Sequence, residues 1–246
     1  MRMKSAQVAH RIFCGVLWLL TIGPAFAGSI AVNPVRVTLS ATQTTGALVV
    51  RNSGAEPSVV QLQIVSWSQQ EGKDVYVPTK DLLATPPIFT VPAGGSQTVR
   101  VGLRQGSDPR REGSYRLIMQ EVPPPPKPEF RGLQVALRLS VPIFVAPAVA
   151  SSPTLAWRAN LTSQGDLNVT AANTGNAHVQ VLRFKLSSAG VELPQTVPSE
   201  AAYILPEQHR AWNLKLPSIP AAGSTLRVVA QTDAGDMQAD VVLSGS

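Results

Sequence analysis

Cysteine is almost missing from this 246-residue sequence, and the one thiol, Cys14, falls within the first 27 residues. Those residues read as a removable leader, so the chain that remains has no disulfide and no thiolate metal site, and an apolar core alone must hold its fold. Histidine is scarce as well. Beyond the leader only His178 and His209 remain, 31 positions apart, with no His-x-His or His-Glu-x-x-His spacing, which gives a metal centre little support. No Gly-x-Ser-x-Gly, Walker or dinucleotide-binding glycine pattern occurs, so the chain reads as a non-enzyme without a cofactor. After the leader no unbroken apolar run approaches the 18 or so residues of a spanning helix, which excludes helical membrane insertion. Aromatic residues make up only 5%. That is thin for a secreted carbohydrate-binding or adhesive β-sandwich, the alternative class that composition allows.

The leader, 1–27, has the three parts of a secretory signal. Arg2, Lys4 and Arg11 give a basic start, an apolar run covers 12–22, and Ala25-Phe26-Ala27 supplies a small-x-small cleavage pattern. Three of the 21 Lys and Arg lie there, so the exported chain carries 18 against 15 Asp and Glu, and its net charge falls from +6 to +3. Most of the basicity is targeting, and nucleic-acid binding loses its support.

What the remaining 219 residues do contain is punctuation and alternation: the sequence has 21 prolines and 18 glycines, with valine-rich runs between them and almost no helical periodicity. The expected fold is all-β, two immunoglobulin-like β-sandwich domains with a cleft between them. Strands are expected over 30–40 (bending where the parity changes at Asn33-Pro34), 46–52, 59–67, 74–78, 88–91, 97–103, 113–122 and 133–145. These make a first domain, 28–146. A link, 147–153, leads to a second domain, 154–246, with strands over 155–159, 167–173, 178–186, 203–205, 209–216, 225–232 and 237–243. Asn173 to Asn176 reads as a hairpin turn. Trp67, Trp157 and Trp212 fall at or near strands, where core packing is expected.

The chain is organised around 133–145, LQVALRLSVPIFV. Leu133, Val135, Leu137, Leu139 and Val141 form one apolar face, and Gln134, Ala136, Arg138 and Ser140 the other. Pro142 has no N–H to give a ladder, which argues for a sheet edge on at least one side. A long aliphatic edge is normally covered or charged. Left open, it is a binding strand, or a site of self-association in the free protein.

Arginines stand among the strands at Arg36, Arg100, Arg116 and Arg138. Each is either a solvated outer-face residue or, in a cleft, a carboxylate-binding one. With Arg36 in the first strand, Glu121 to Pro126 (EVPPPP), the LQVAL run from Leu133 and the Phe-x-x-Pro of Phe144 to Pro147, the chain resembles the periplasmic chaperones of the chaperone–usher pilus pathway. The Ser140 to Phe144 run, SVPIF, resembles the archaic branch, whose pilins are like spore-coat protein U. The resemblance implies a periplasmic protein that captures pilin subunits by donor-strand complementation and passes them to an outer-membrane usher. It implies that Leu133, Val135, Leu137, Leu139 and Val141 enter subunit pockets. It also implies that Arg36 anchors the subunit's C-terminal carboxylate. The family's second anchor, a lysine, aligns with Pro142, and Arg138 is the candidate replacement.

Overall fold

The computed structural model describes residues 30–104, 106, 108–125, 135–194 and 201–245. The expected leader and Leu133 lie outside the described residues. Among the described residues every regular element is a strand. Ten build the first sandwich: β1 (Ile30–Asn33), β2 (Val37–Leu39), β3 (Thr45–Asn52), β4 (Ser58–Gln70), β5 (Lys73–Pro78), β6 (Leu82–Thr85), β7 (Ile88–Val91), β8 (Ser96–Leu103), β9 (Gly113–Val122) and β10 (Arg138–Val145). Eight build the second: β11 (Leu155–Leu161), β12 (Leu167–Asn173), β13 (Val179–Ser188), β14 (Val191–Glu192), β15 (Ala202–Ile204), β16 (His209–Leu214), β17 (Thr225–Thr232) and β18 (Gly235–Ser244).

In the first sandwich one sheet has the order β1-β3-β8-β6, and the other β2-β10-β9-β4-β5 with β7 against β4. Period-two alternation decides which side chains meet between them. Leu48, Val50, Val99 and Val101 come from one sheet, and Val60, Leu62, Leu117, Met119, Val141, Ile143 and Val145 from the other, all buried. At roughly 1.5–3 kcal/mol for each buried large aliphatic, this core carries the stability that disulfides cannot supply. The first stretch changes sheet where its parity changes: β1 pairs antiparallel with β3, and β2 runs parallel to β10. Val35, between them, is exposed.

The strand expected over 133–145 is regular only from Arg138 to Val145. Before it, the carbonyl of Leu137 still accepts the Glu121 N–H at 2.8 Å, while the Leu137 N–H turns to the Glu121 carboxylate at 3.2 Å. The ladder to β9 therefore ends in a side-chain contact. Glu121, already bonded to Ser58 through its other carboxylate oxygen, closes the strand.

The second sandwich has the order β14-β13-β17-β18-β11-β12-β16, with β15 against β13. Its core holds Trp157, Val169, Phe184, Leu186, Leu226 and Val228. Asn173 to Asn176 is not a hairpin turn, because β12 pairs with β11 and β16 whereas β13 pairs with β14, β15 and β17. It is a corner between sheets, held by Asn173 Nδ2, which donates to the carbonyls of Ala177 at 2.8 Å and Ile204 at 2.9 Å. Gly175 is required there, since a Cβ would sit 1.9 Å from the Ser152 carbonyl oxygen.

Candidate functional site

The site has two parts that meet at Pro142. The first is an edge. β9 lines one side of β10 from Arg138 to Val145, but on the other side β2 pairs only with Ile143 to Val145. Among the described residues, 138–142 therefore present an unpaired main-chain edge, and β2 joins just after the proline that has no N–H to offer. The expected donor row grades along this edge. Val135 is 75% exposed, Leu137 and Leu139 are half-buried, and Val141 is 5% exposed inside the domain's own core. At Val141, the last of the expected row, the opposing sheet lies beneath the side chain and it packs in the domain's own core.

The second part is the cleft. The outer face of the sheet is also ordered by cross-strand register, and each row runs from β4 through β9 to β10. One row is Gln61, Gln120 and Arg138; the next is Gln63, Ile118 and Ser140; the next is Val65, Arg116 and Pro142. One row further on come Trp67 of β4 and Phe144 of β10. Here the second domain covers the face, and Trp67, Phe144 and Leu205 form a buried cluster of their own with Tyr203 against it. Trp67 is buried as expected, but under the other domain and not in a sandwich core. Its odd position places it opposite Val60, Leu62 and Ile64. Trp157 is buried in the second core and Trp212 packs against it, so neither makes an open stacking platform.

Two guanidinium groups reach this cluster. Arg116 lies with its Cζ 3.7 Å from the centre of the Trp67 ring and 5.4 Å from that of Tyr203, a cation–π arrangement. Its Nε and the Trp67 Nε1 are buried with no hydrogen-bond partner. Arg36, entering β2, donates from Nη1 to Asp233 Oδ2 at 2.7 Å. Burial pushes the Tyr203 phenol up, and the charges of Arg36 and Arg116 hold it back, so both cations act on one ring. Sequence reasoning proposed Arg138 as the second cation. It lies two rows from Pro142, over a shallow groove lined by Gln61, Gln63, Ile118 and Gln120. Arg116 is the residue directly across from Pro142. Arg100, on the other sheet, is exposed.

Behind Arg36 a histidine joins the domains. His178 stacks on Phe144 with ring centres 3.5 Å apart and planes 6° from parallel. Its Nδ1 lies 2.7 Å from Glu112 Oε1 and its Nε2 3.4 Å from Asp233 Oδ2. Burial lowers the imidazole, but the hydrogen bonds and charges of Asp233 and Glu112 outweigh it and leave its pKa above the usual histidine value. Burial likewise raises the Asp233 carboxyl, while His178, the Gln180 N–H and Arg36 together bring it down to about 2. The two carboxylates sit at opposite ring nitrogens, so they do not converge on one ion. Further ties hold the cleft's shape. Gln69 donates to the Tyr203 carbonyl at 2.9 Å and accepts from the Leu205 N–H at 3.0 Å, Arg210 donates to the Gly72 carbonyl at 2.7 Å, and Arg111 pairs with Glu207.

In this chain an open strand edge leads into a cationic cleft between two β-sandwiches. Residues 29–150 match the family of pili and flagellar-assembly chaperones, in its PapD N-terminal domain. The chain belongs to the PapD-like pilus-assembly chaperones. The chaperone protein FimB/FhaD of Bordetella pertussis is 29% identical over 156 residues, which cover 60% of this chain and 63% of that protein. This chain's match therefore spans a little under two thirds of that relative. The fold matches a chain in the crystal structure of the CsuC–CsuE chaperone–tip adhesion subunit complex from the archaic Csu pili of Acinetobacter baumannii, with a TM-score of 0.62, 20% identity and coverage of 89% of this chain and 99% of that one. A chain of the Salmonella enterica SafA pilin–SafB chaperone complex matches with a TM-score of 0.60, 18% identity and coverage of 89% and 99%. The family and these neighbours are chaperones, not enzymes. For this PapD-like chain the edge of β10 and the cleft are accordingly the parts to explain.

Proposed function

We propose that this chain is an exported periplasmic chaperone that captures pilin subunits by donor-strand complementation and hands them to an outer-membrane usher. The observation that carries the reading is the unpaired edge at 138–142 running into a cleft with two guanidinium groups. A subunit strand pairs with that edge, and Val135, Leu137 and Leu139, with Leu133 ahead of them, fill the subunit's open core. Each fully buried side chain adds roughly 1.5–3 kcal/mol before the ordering costs of association. The subunit's C-terminal carboxylate enters the cleft, where Arg36 binds it and Arg116 takes the place of the missing lysine at Pro142. The unpartnered Arg116 Nε beside the cleft supports that role. The SVPIF run favours an archaic pilus as the destination. The same edge is where free molecules would self-associate.

The test is periplasmic co-expression with candidate pilins, pull-down and native mass measurement. Wild type yields a one-to-one complex. Leu137→Arg loses it, Arg36→Ala retains a tenth or less, and Arg116→Met is weakened more than Arg138→Met. Capture indifferent to both Leu137→Arg and Arg36→Ala would sink the reading.

A further inference from the structure

The cleft already contains a carboxylate on the residue assigned to hold one. Asp233 Oδ2 accepts from Arg36 Nη1 at 2.7 Å and lies 3.4 Å from His178 Nε2, while Oδ1 is fixed by the Gln180 N–H at 2.8 Å. One oxygen therefore lies between Arg36 and the His178 ring, and the other holds the group in place. The Asp233 side chain is 17% exposed, and that of Arg36, at 42%, faces solvent.

We propose that Asp233 is a resident stand-in for the subunit's carboxylate on Arg36, and that protonation of His178 draws Asp233 away and frees Arg36 for capture. This rests on the anchor reading of Arg36, and makes Asp233 and His178 positioning residues of that anchor. The argument is one of hydrogen-bond capacity. A neutral imidazole has one N–H, and a protonated one has two. His178 cannot turn to choose, because Phe144 stacks on its face and Glu112 Oε1 lies 2.7 Å from Nδ1 and also accepts the His178 main-chain N–H at 3.1 Å. The proton of the neutral ring therefore stays on Nδ1, toward Glu112. The Nε2 lone pair then faces Asp233 Oδ2, and that oxygen depends on Arg36.

When Nε2 takes a proton it donates to Oδ2, so Asp233 gains a second cation and its hold on Arg36 weakens. The proton comes from solvent, and no other bond changes. The charged and titratable groups around the ring are Glu112 before β9, Asp233 in the β17–β18 turn, Arg36 before β2, Tyr203 of β15 and, across the Tyr203 ring, Arg116 of β9. Of these, histidine is the side-chain type whose ordinary titration falls between pH 5.5 and 8. Capture is therefore tighter in mild acid, and by linkage each capture event near neutral pH takes up part of a proton.

The probe is the pilin subunit that co-purifies in the pull-down above, exchanged onto the full-length chaperone at pH 5.5 and pH 8. Wild type is expected to bind roughly fivefold or more tightly at pH 5.5, the lower end of ordinary coupling between sites. In His178→Gln that pH dependence disappears, and Asp233→Asn binds at pH 8 at least as tightly as wild type. A His178→Gln protein with the wild-type slope, or an Asp233→Asn protein that binds more weakly at pH 8, overturns the proposal. Either result leaves the anchor intact if Arg36→Ala still fails to capture, whereas capture by Arg36→Ala refutes the anchor itself. A measurement without subunit guards against misfolded variants: the His178 imidazole titration, followed by NMR in the free chain. With Arg36→Ala the shared carboxylate passes to the ring and the titration moves to higher pH. An unmoved titration shows that Asp233 is not shared and overturns the proposal.

Discussion

Ile143 to Val145 have β2 on one side and β9 on the other and are fully buried, whereas 138–142 have β9 alone and the chain before them rises to 75% exposure at Val135. These are two ends of one aliphatic run with one alternation. The difference comes from what lies alongside: three residues of β2, and the second domain over Phe144. Hydrophobicity at the covered end is a folding matter, and at the open end, on the proposed function, it is left for a partner. A single row of side chains changes from one duty to the other within about four residues.

Substitutions at the two ends should separate the duties. The largest effect on stability belongs to the covered end: Ile143→Ala is expected to cost about 2–5 kcal/mol, because it removes buried methylenes and leaves a cavity between the sheets. Leu137→Arg should cost clearly less stability than Ile143→Ala while abolishing subunit capture, since Leu137 is only half-buried in the free chain. If both variants lose stability alike, or both lose only capture, the division along β10 is wrong. A smaller loss, about 1–3 kcal/mol, is expected for Gly175→Ala, whose Cβ would force the Ser152 and Thr154 main chain aside where the inter-domain link packs on the second sandwich. Urea unfolding of the variant reads it, and a midpoint equal to wild type would mean that the corner yields freely.

Much of the sandwich architecture was legible because alternation and turn residues are local signals. The run 113–122 was legible as a strand, and within it Tyr115, Leu117 and Met119 enter the core while Arg116 and Gln120 fall on the other face. What parity does not give is which residue stands opposite which. Pro142 faces Arg116 and Arg138 faces Gln120, and the sequence between β9 and β10, with its prolines and single glycine, carries no turn signature from which that register could be read. That is why Arg138, on the same strand as Pro142, was the candidate second cation, while Arg116 stood only among the scattered arginines. Asp233 and His178 were less visible still. They come from turns of the second domain, 197 and 142 residues beyond Arg36, and only the docking of the sandwiches brings them together.

That docked cluster gives the smallest effect, and its sign can be worked out. The Asp233 carboxyl is held at about 2 against a usual 3.8. A lowered acid stabilises the fold above its unfolded value and loses that contribution as the pH falls from about 4 toward 2. His178 is raised above 6.5, so its contribution is complete below pH 6.5 and is lost as the pH climbs through its higher folded value. Denaturation midpoints of wild type and Asp233→Asn should therefore converge as the pH is lowered from 4 to 2.5, and those of wild type and His178→Gln as it is raised above 6.5. Because Oδ2 of Asp233 is common to both, the double variant should be less destabilised than the two single losses combined. Strict additivity would mean that Asp233 and His178 do not interact in the folded chain. It would return the cleft to a static joint between domains, on the covered side of the comparison along β10.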